Sequence, residues 1–278
     1  MFADDSLLFR TIENDHDGEA LQKDLDSLLS WAETWQMKFH PDKCFVMSIT
    51  NNKHPIKHNY QILGHSLANA DTIPYLGVQL NKSLKWNNHI ENIVAKASRS
   101  LGFLRRNLYQ CPEKVKEQAY IALVRPILEY SCAVWDPYQQ TQIKMLEQVQ
   151  RTAARFVTNC RSTQPGCVTA ALTELNWSSL ESRRKDKRLG LLHKAVSKKE
   201  ASAMKLPEYY NKQTSKYNTR NHHINRLSNP LCRTNVGMNS FFPRTIREWN
   251  SIPGEILDIT NTEQFLRIYR SYERQLVR

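Results

Sequence analysis

This sequence predicts an α+β fold, with its short strands in the first 80 residues and helices throughout the rest. Three observations carry that expectation. Extended-type apolar runs occur only before residue 81, broken by Pro and Gly. From residue 81 onward, apolar positions recur at helical spacing in one segment after another. The charge also changes sign: residues 1–80 hold 6 Lys/Arg and 11 Asp/Glu, whereas residues 81–278 hold 33 and 16.

At the start, apolar residues flank the acidic pair Asp4-Asp5, which reads as strand, tight turn, strand over the first nine residues. A helix follows, because Leu21, Leu25, Leu28, Leu29, Ala32 and Trp35 share one face and Asp15, Asp17 and Glu19 favour a helix N-terminus. Pro41 stops that pattern. Phe45, Val46, Met47 and Ile49 suggest a strand, and a further extended stretch runs from Ile73 to Leu80 around Pro74 and Gly77.

Then the helical stripes begin. Ile90, Ile93, Val94, Ala97, Leu101 and Leu104 make the first. Pro112 suits the first position of a second helix, and Pro126 should kink or end it. Ile143, Leu146, Val149, Ala153, Phe156 and Val157 make a third stripe, a very basic helix lies near 178–199, and Phe265, Leu266 and Tyr269 suggest a short last one. Residues 206–240 are polar and Asn-rich and read as a mobile linker. The expected divisions are 1–80, 81–160 and 161–278. The six tryptophans are spaced like packing anchors.

A net charge of +12 points to a polyanionic partner, nucleic acid being the commonest, or to a merely solvated basic surface. The cysteines, Cys44, Cys111, Cys132, Cys160, Cys167 and Cys232, include no C-x-x-C pair and read as free thiols of the cytosol or nucleus. No apolar run approaches the roughly 20 residues of a membrane span, and the start does not resemble a secretory leader.

Asp4 and Asp5 are the sharpest chemical feature. A turn between strands frees a carboxylate to hold Mg²⁺, a hard ion that takes few protein oxygens. An Asp-Asp pair is also the makings of a plain polar turn. The cationic candidates are Arg99, Arg105 and Arg106 at the end of the first long helix, Arg151 and Arg155 one turn apart, and the dense run Arg183, Arg184, Lys185, Lys187 and Arg188. Each can meet phosphates or simply face water, with Glu147 as a local partner for Arg151 and Arg155.

Phe2-Ala3-Asp4-Asp5 resembles the aspartate box of reverse transcriptases, in the phenylalanine form common among non-LTR elements. The stretch Leu21 to Phe39 looks like the helix these elements place after it. His40 to Met47 resembles their next motif, although a histidine stands where asparagine is usual. Tyr75-Leu76-Gly77-Val78 matches the primer-grip motif. Ser83 to Ile90, Ala122 to Tyr130, Val149 to Val157, Leu180 to Arg184 and Ser240 to Pro253 look like the later regions of jockey-like LINE polymerases.

The resemblance implies RNA-directed DNA synthesis by two Mg²⁺ ions about 3.5–4 Å apart. The implied partners are an RNA template, a DNA primer and dNTPs. It implies partial palm at 1–80, thumb at 81–160 and a basic C-terminal region at 161–278. Asp4 would ligate metal with Asp5 beside it, Lys43 would protonate pyrophosphate, and Tyr75, Leu76 and Gly77 would hold the primer. Lys43 is equally a solvated lysine, and Gly77 equally the glycine of a plain turn.

The family's earlier palm aspartate and its fingers normally precede the box, and the chain begins just ahead of it. It is therefore expected to be a C-terminal fragment, inactive alone, with exposed apolar surface and local instability over residues 1–80. A non-catalytic module binding RNA–DNA hybrid and a product of a decayed element are the alternatives. The oligomeric state is left open.

Overall fold

The computed structural model describes residues 5–50, 52–160, 164–197, 225–229 and 231–276. The chain divides into two compact units, Met1–His89 and Ile90–Arg278. The residues expected as separate segments 81–160 and 161–278 thus share a unit, apart from the few before Ile90. The composition is mostly helical with short strands, compatible with an α+β fold.

In the first unit, α1 (Asp15–Thr34) is set by its N-cap. Asn14 Oδ1 accepts from the Asp17 amide at 3.1 Å, and the Asp17 carboxylate accepts from the amides of Glu13 and Asn14. Those bonds, the Glu13 one foremost, hold the Asp17 carboxyl below its ordinary value. Ala32 is buried on the expected face, with Leu21, Leu25, Leu28 and Leu29 half-buried. The helix ends before Pro41, where Gln36 turns into the left-handed region at φ 55°. Pro41 instead opens a 3₁₀ turn, Pro41–Lys43.

The strands are short: β1 (Phe45–Val46), β2 (Gln61–Ile62), β3 (His65–Ser66), β4 (Ala68–Asn69), β5 (Thr72–Tyr75) and β6 (Val78–Asn81). β1 pairs with β4 in parallel, whereas β2–β3 and β5–β6 are antiparallel. The Gln22 amide ties α1 to β2 by exchanging hydrogen bonds with the Gln61 backbone, both at 2.9 Å. Two expectations change here. The stretch Ile73 to Leu80 is a hairpin rather than one strand. The strand expected around the first nine residues does not extend over 6–9, which carry no strand; residues 1–4 lie outside the described residues. Without sheet pairing, the side chain of Phe9 is left 88% exposed.

The second unit is helical. It contains most of α2 (Asn87–Asn107), then α3 (Glu113–Leu123), α4 (Arg125–Glu129), α5 (Cys132–Trp135), α6 (Gln140–Val157), α7 (Cys167–Glu174) and α8 (Leu180–Val196). After them come α9 (Asn235–Met238), α10 (Phe241–Asn250), α11 (Gly254–Leu257) and α12 (Thr262–Leu276). Pro112 is the N-cap of α3 instead of its first residue, and Pro126 sits in the first turn of α4 after a break at Val124, as a residue without an N–H should.

α8 is the hub, packing against α4, α5, α6, α10 and α12. Its Leu189 and Leu192 enter a core with Leu227, Ile246, Trp249, Phe265 and Tyr269. Gly190 is small because α12 comes close: a Cβ there would lie 3.2 Å from Leu266 Cδ1. His193 is buried between Thr262 Oγ1 (2.9 Å from Nδ1) and the Ile259 carbonyl (2.6 Å from Nε2), stacked on Phe265.

Two further expectations are corrected, and a third lies largely outside the described residues. The mobile linker at 206–240 is outside them over 206–224 and at 230; within the rest Leu227 is fully buried and Asn225 O accepts from Trp249 Nε1 at 2.8 Å, while Leu231 is fully exposed. Cys160 and Cys167 are joined as a disulfide, whereas Cys44, Cys111, Cys132 and Cys232 are free. Burial pushes the Cys132 thiol up to about 11. Trp135 and Trp249 are core anchors, but Trp31 and Trp35 are exposed on α1.

Candidate nucleic-acid interface

Asp4 lies outside the described residues. Asp5 is exposed and leads into a segment fastened to α1 by the Arg10–Asp24 ion pair at 2.9 Å. Lys43 is exposed at the end of its 3₁₀ turn, beside the Cys44 thiol, which donates to the His40 carbonyl at 3.3 Å.

Tyr75, Leu76 and Gly77 fall at the tip of the β5–β6 hairpin, where Tyr75 pairs with Val78. Leu76 and Gly77 both have positive φ, 46° and 77°. That is the two-residue turn whose twist matches the strands it joins, and it normally takes Asn-Gly. A leucine in the left-handed region is strained by contact of its Cβ with the backbone. Among the described residues, no hydrogen bond or ion pair joins Asp5, Lys43 and Tyr75 to one another.

The cationic candidates separate into two populations. Arg99, Arg105 and Arg106 on α2, and Arg151 and Arg155 on α6, are exposed, and none forms an ion pair among the described residues. Glu147, weighed as a partner for Arg151 and Arg155, is turned to α8 instead, where its carboxylate accepts from the Glu181 amide at 2.9 Å. Burial raises the Glu147 carboxyl despite that bond. Between α2 and α6 runs a groove of about 360 Å³ lined by Val94, Leu101, Arg105, Met145, Val149 and Thr152, among others.

The run at 183–188 behaves otherwise. Arg184 is fully buried, with Nε 2.6 Å from Asp136 Oδ1. Arg188, also buried, donates from Nε to Asp136 Oδ2 at 2.8 Å and from Nη1 and Nη2 to Glu248 at 2.8 and 3.0 Å. Burial alone would lower the Arg188 pKa, and the two carboxylates more than offset it. Arg183 and Lys187 both bind Glu129, and Lys185 binds Glu273. The expectation that Arg184 and Arg188 contact phosphate is therefore corrected: their charges are neutralised inside the unit. Arg183, Lys185 and Lys187 keep part of their surface but already hold carboxylates.

Sequence reading did not anticipate this network. Its acidic members, Glu129, Asp136 and Glu248, lie 48 to 60 residues from the α8 cations they meet, so no spacing within α8 announces them; only Arg244 and Glu248, one turn apart on α10, form a local pair. One clue was present. Glu129, Arg183 and Glu248 all fall in strings that look like late LINE polymerase regions, and these strings meet at α8.

The relatives this chain matches are RNA-directed DNA polymerases of mobile elements. It is 25% identical over 167 residues to the probable RNA-directed DNA polymerase from transposon BS of Drosophila melanogaster, covering 57% of this chain and 18% of that protein. It is 27% identical over 146 residues to the RNA-directed DNA polymerase from mobile element jockey of Drosophila funebris, covering 50% and 15%. The jockey polymerase of Drosophila melanogaster matches at 23% over 144 residues, covering 49% and 15%. The matched stretch thus spans less than a fifth of these relatives. The similarity bears out the family resemblance read from the sequence, to non-LTR retrotransposon reverse transcriptases. No family model matches the chain, and no solved structure does.

Reverse transcriptases generally use Mg²⁺. Among the described residues, which do not include Asp4, no three His, Cys, Asp or Glu side chains gather together. Nor, among those residues, is any helix long and apolar enough to cross a membrane.

Proposed function

We propose that this chain is part of an RNA-directed DNA polymerase of a jockey-like LINE element, and that α2 and α6 belong to the thumb that grips the template–primer backbone. Five exposed arginines of α2 and α6 with no ion pair among the described residues carry this reading, Arg105 lining the groove between the two helices. Cations without a carboxylate partner on a water-facing surface are available to phosphates, and contacts of that kind position a duplex without reading its sequence. In the same reading, residues 1–80 are part of the palm. The exposed Gly77 at the hairpin tip lets the primer backbone approach, Asp4 and Asp5 would be the metal ligands, and Lys43 would protonate the leaving pyrophosphate. The partners are an RNA template, a DNA primer and dNTPs.

The test is fluorescence anisotropy of this chain with a blunt RNA–DNA hybrid across a salt series. Binding should weaken steeply and log-linearly with salt. The double variant Arg105→Glu, Arg155→Glu should lose most of it while melting at the wild-type temperature. Salt-independent binding, or full binding by the double variant, would overturn the thumb assignment.

A further inference from the structure

Phe103 stands on the wrong side of its helix. The apolar face of α2 is buried through Ile90, Ala97, Leu101 and Leu104, whereas the Phe103 ring is 58% exposed. Positions 99, 103 and 106 share one strip of a helix surface, since residues four and three apart lie over one another. The ring therefore sits between the exposed Arg99 and Arg106, which are about 10 Å apart along the axis at 1.5 Å per residue. Arg106 also reaches the groove rim: a Cβ on Gly102, which lines the groove, would lie 3.6 Å from Arg106 Nη1.

Among the described residues, no carboxylate pairs with Arg99 or Arg106. The acids of the two helices are Glu91, at the opposite end of α2, and Glu147, which is engaged by α8. A single exposed apolar residue is ordinary on a protein surface. One flanked on its own strip by two unpaired guanidiniums has another use. A nucleobase stacks on an aromatic face, and the phosphates on either side of it take the cations. A duplex keeps its internal bases stacked and offers the ring at most the face of a terminal pair, whereas an unpaired base offers its face anywhere along the strand. A protein partner would instead need a wider apolar patch, and the helix positions three and four residues from Phe103 are the polar Arg99, Ser100, Arg106 and Asn107.

We infer that Arg99, Phe103 and Arg106 form a stacking site for single-stranded nucleic acid, the unpaired stretch that leaves the hybrid held at the α2–α6 groove. The inference deepens the thumb reading and rests on it for the location of the hybrid. It assigns Phe103 a role in positioning that strand.

The experiment compares three fluorescent probes: a blunt RNA–DNA hybrid, the same hybrid with a single-stranded overhang (RNA in one arm, DNA in the other), and a free oligonucleotide. The wild-type chain should bind the overhang hybrid about tenfold more tightly than the blunt one, a stacking contribution of ordinary size. Phe103→Ala and Phe103→Leu should abolish that increment and leave blunt affinity and the salt slope unchanged. Phe103→Trp should restore it. Arg99→Ala should lower the single-strand salt slope by roughly 0.7, the loss of one phosphate contact.

No increment in the wild type, an equal loss by Phe103→Ala on blunt and overhang hybrids, or full retention by Phe103→Leu would each overturn the stacking site. If the blunt hybrid fails to bind, the thumb reading falls. The stacking site then stands only if the free oligonucleotide binds and Phe103→Ala removes that binding. If neither binds, both are overturned.

Discussion

Arg188 Nε donates to Asp136 Oδ2 across 2.8 Å, at a depth where the two side chains keep 2% and 4% of their surface. Asp136 also takes Arg184, and Arg244 Nη1 lies 3.4 Å from it, so one carboxylate faces three guanidiniums. The pairing is of charge rather than of every donor, since Nη1 and Nη2 of the buried Arg184 have no hydrogen-bond partner among the described residues. Removing the anion leaves buried cations without a counter-charge, which costs far more than an exposed pair is worth.

Asp136→Ala should accordingly destabilise the chain by about 3–5 kcal/mol, whereas Asp42→Ala, on an exposed carboxylate, should change stability by less than about 0.5 kcal/mol. Urea unfolding followed by tryptophan fluorescence reads both. Equal, small shifts would show that the network contributes nothing special.

Glu129 makes the network pH-dependent. Burial would raise its carboxyl, but the hydrogen bonds and charges of Arg183 and Lys187 hold it below the ordinary value of 4.5. The unfolded chain then takes up the proton first as pH falls, so stability from Glu129 is fully present above pH 4.5 and is lost as pH drops through the lower folded value. Glu147 and Asp186, raised by burial, act in the opposite sense. The stability gap between wild type and Glu129→Gln should therefore be constant at neutral pH and shrink below 4.5. A gap that grows toward acid would refute the assignment.

At the hairpin tip, Leu76 bears a left-handed backbone that asparagine tolerates better. Leu76→Asn should strengthen the β5–β6 hairpin by up to about 1 kcal/mol, and Gly77→Ala should weaken it by about 1–2 kcal/mol. Amide hydrogen exchange at Thr72–Tyr75 and Val78–Asn81 gives the measurement. Faster exchange in Leu76→Asn would mean that the leucine side chain does more for the hairpin than its backbone costs.

The two arginine populations should part cleanly. Arg183→Ala removes a partner of Glu129 and should lower the melting temperature without changing the salt dependence of hybrid binding. Arg155→Ala should leave the melting temperature alone and reduce the salt slope by about one contact. Calorimetry and binding on the same samples decide it, and a loss of salt slope in Arg183→Ala would return the 183–188 run to the interface.

Much of the helical architecture was legible because it depends on local periodicity. The stripes of Ile90 to Leu104 and Ile143 to Val157 became α2 and α6, and Pro112 and Pro126 punctuate α3 and α4 because proline lacks an N–H wherever it stands. α10 was not foreseen. Its Phe242, Ile246 and Trp249 do stand at the i, i+4, i+7 spacing of a helical face, but the segment is short and proline interrupts its first turn. The strand expected after the acidic pair is absent over 6–9, because apolar flanks cannot reveal whether a partner strand exists.

By itself the sequence determined the α+β class, the family resemblance and the positions of the cations. Only the tertiary structure decided what those cations do. Arg155 and Arg184 look alike in sequence, each beside other cations on a helix. Whether one meets water and the other a carboxylate depends on which distant segment packs against its face. Asp136 comes from 48 residues before Arg184, and no pattern within a helix's reach encodes that meeting.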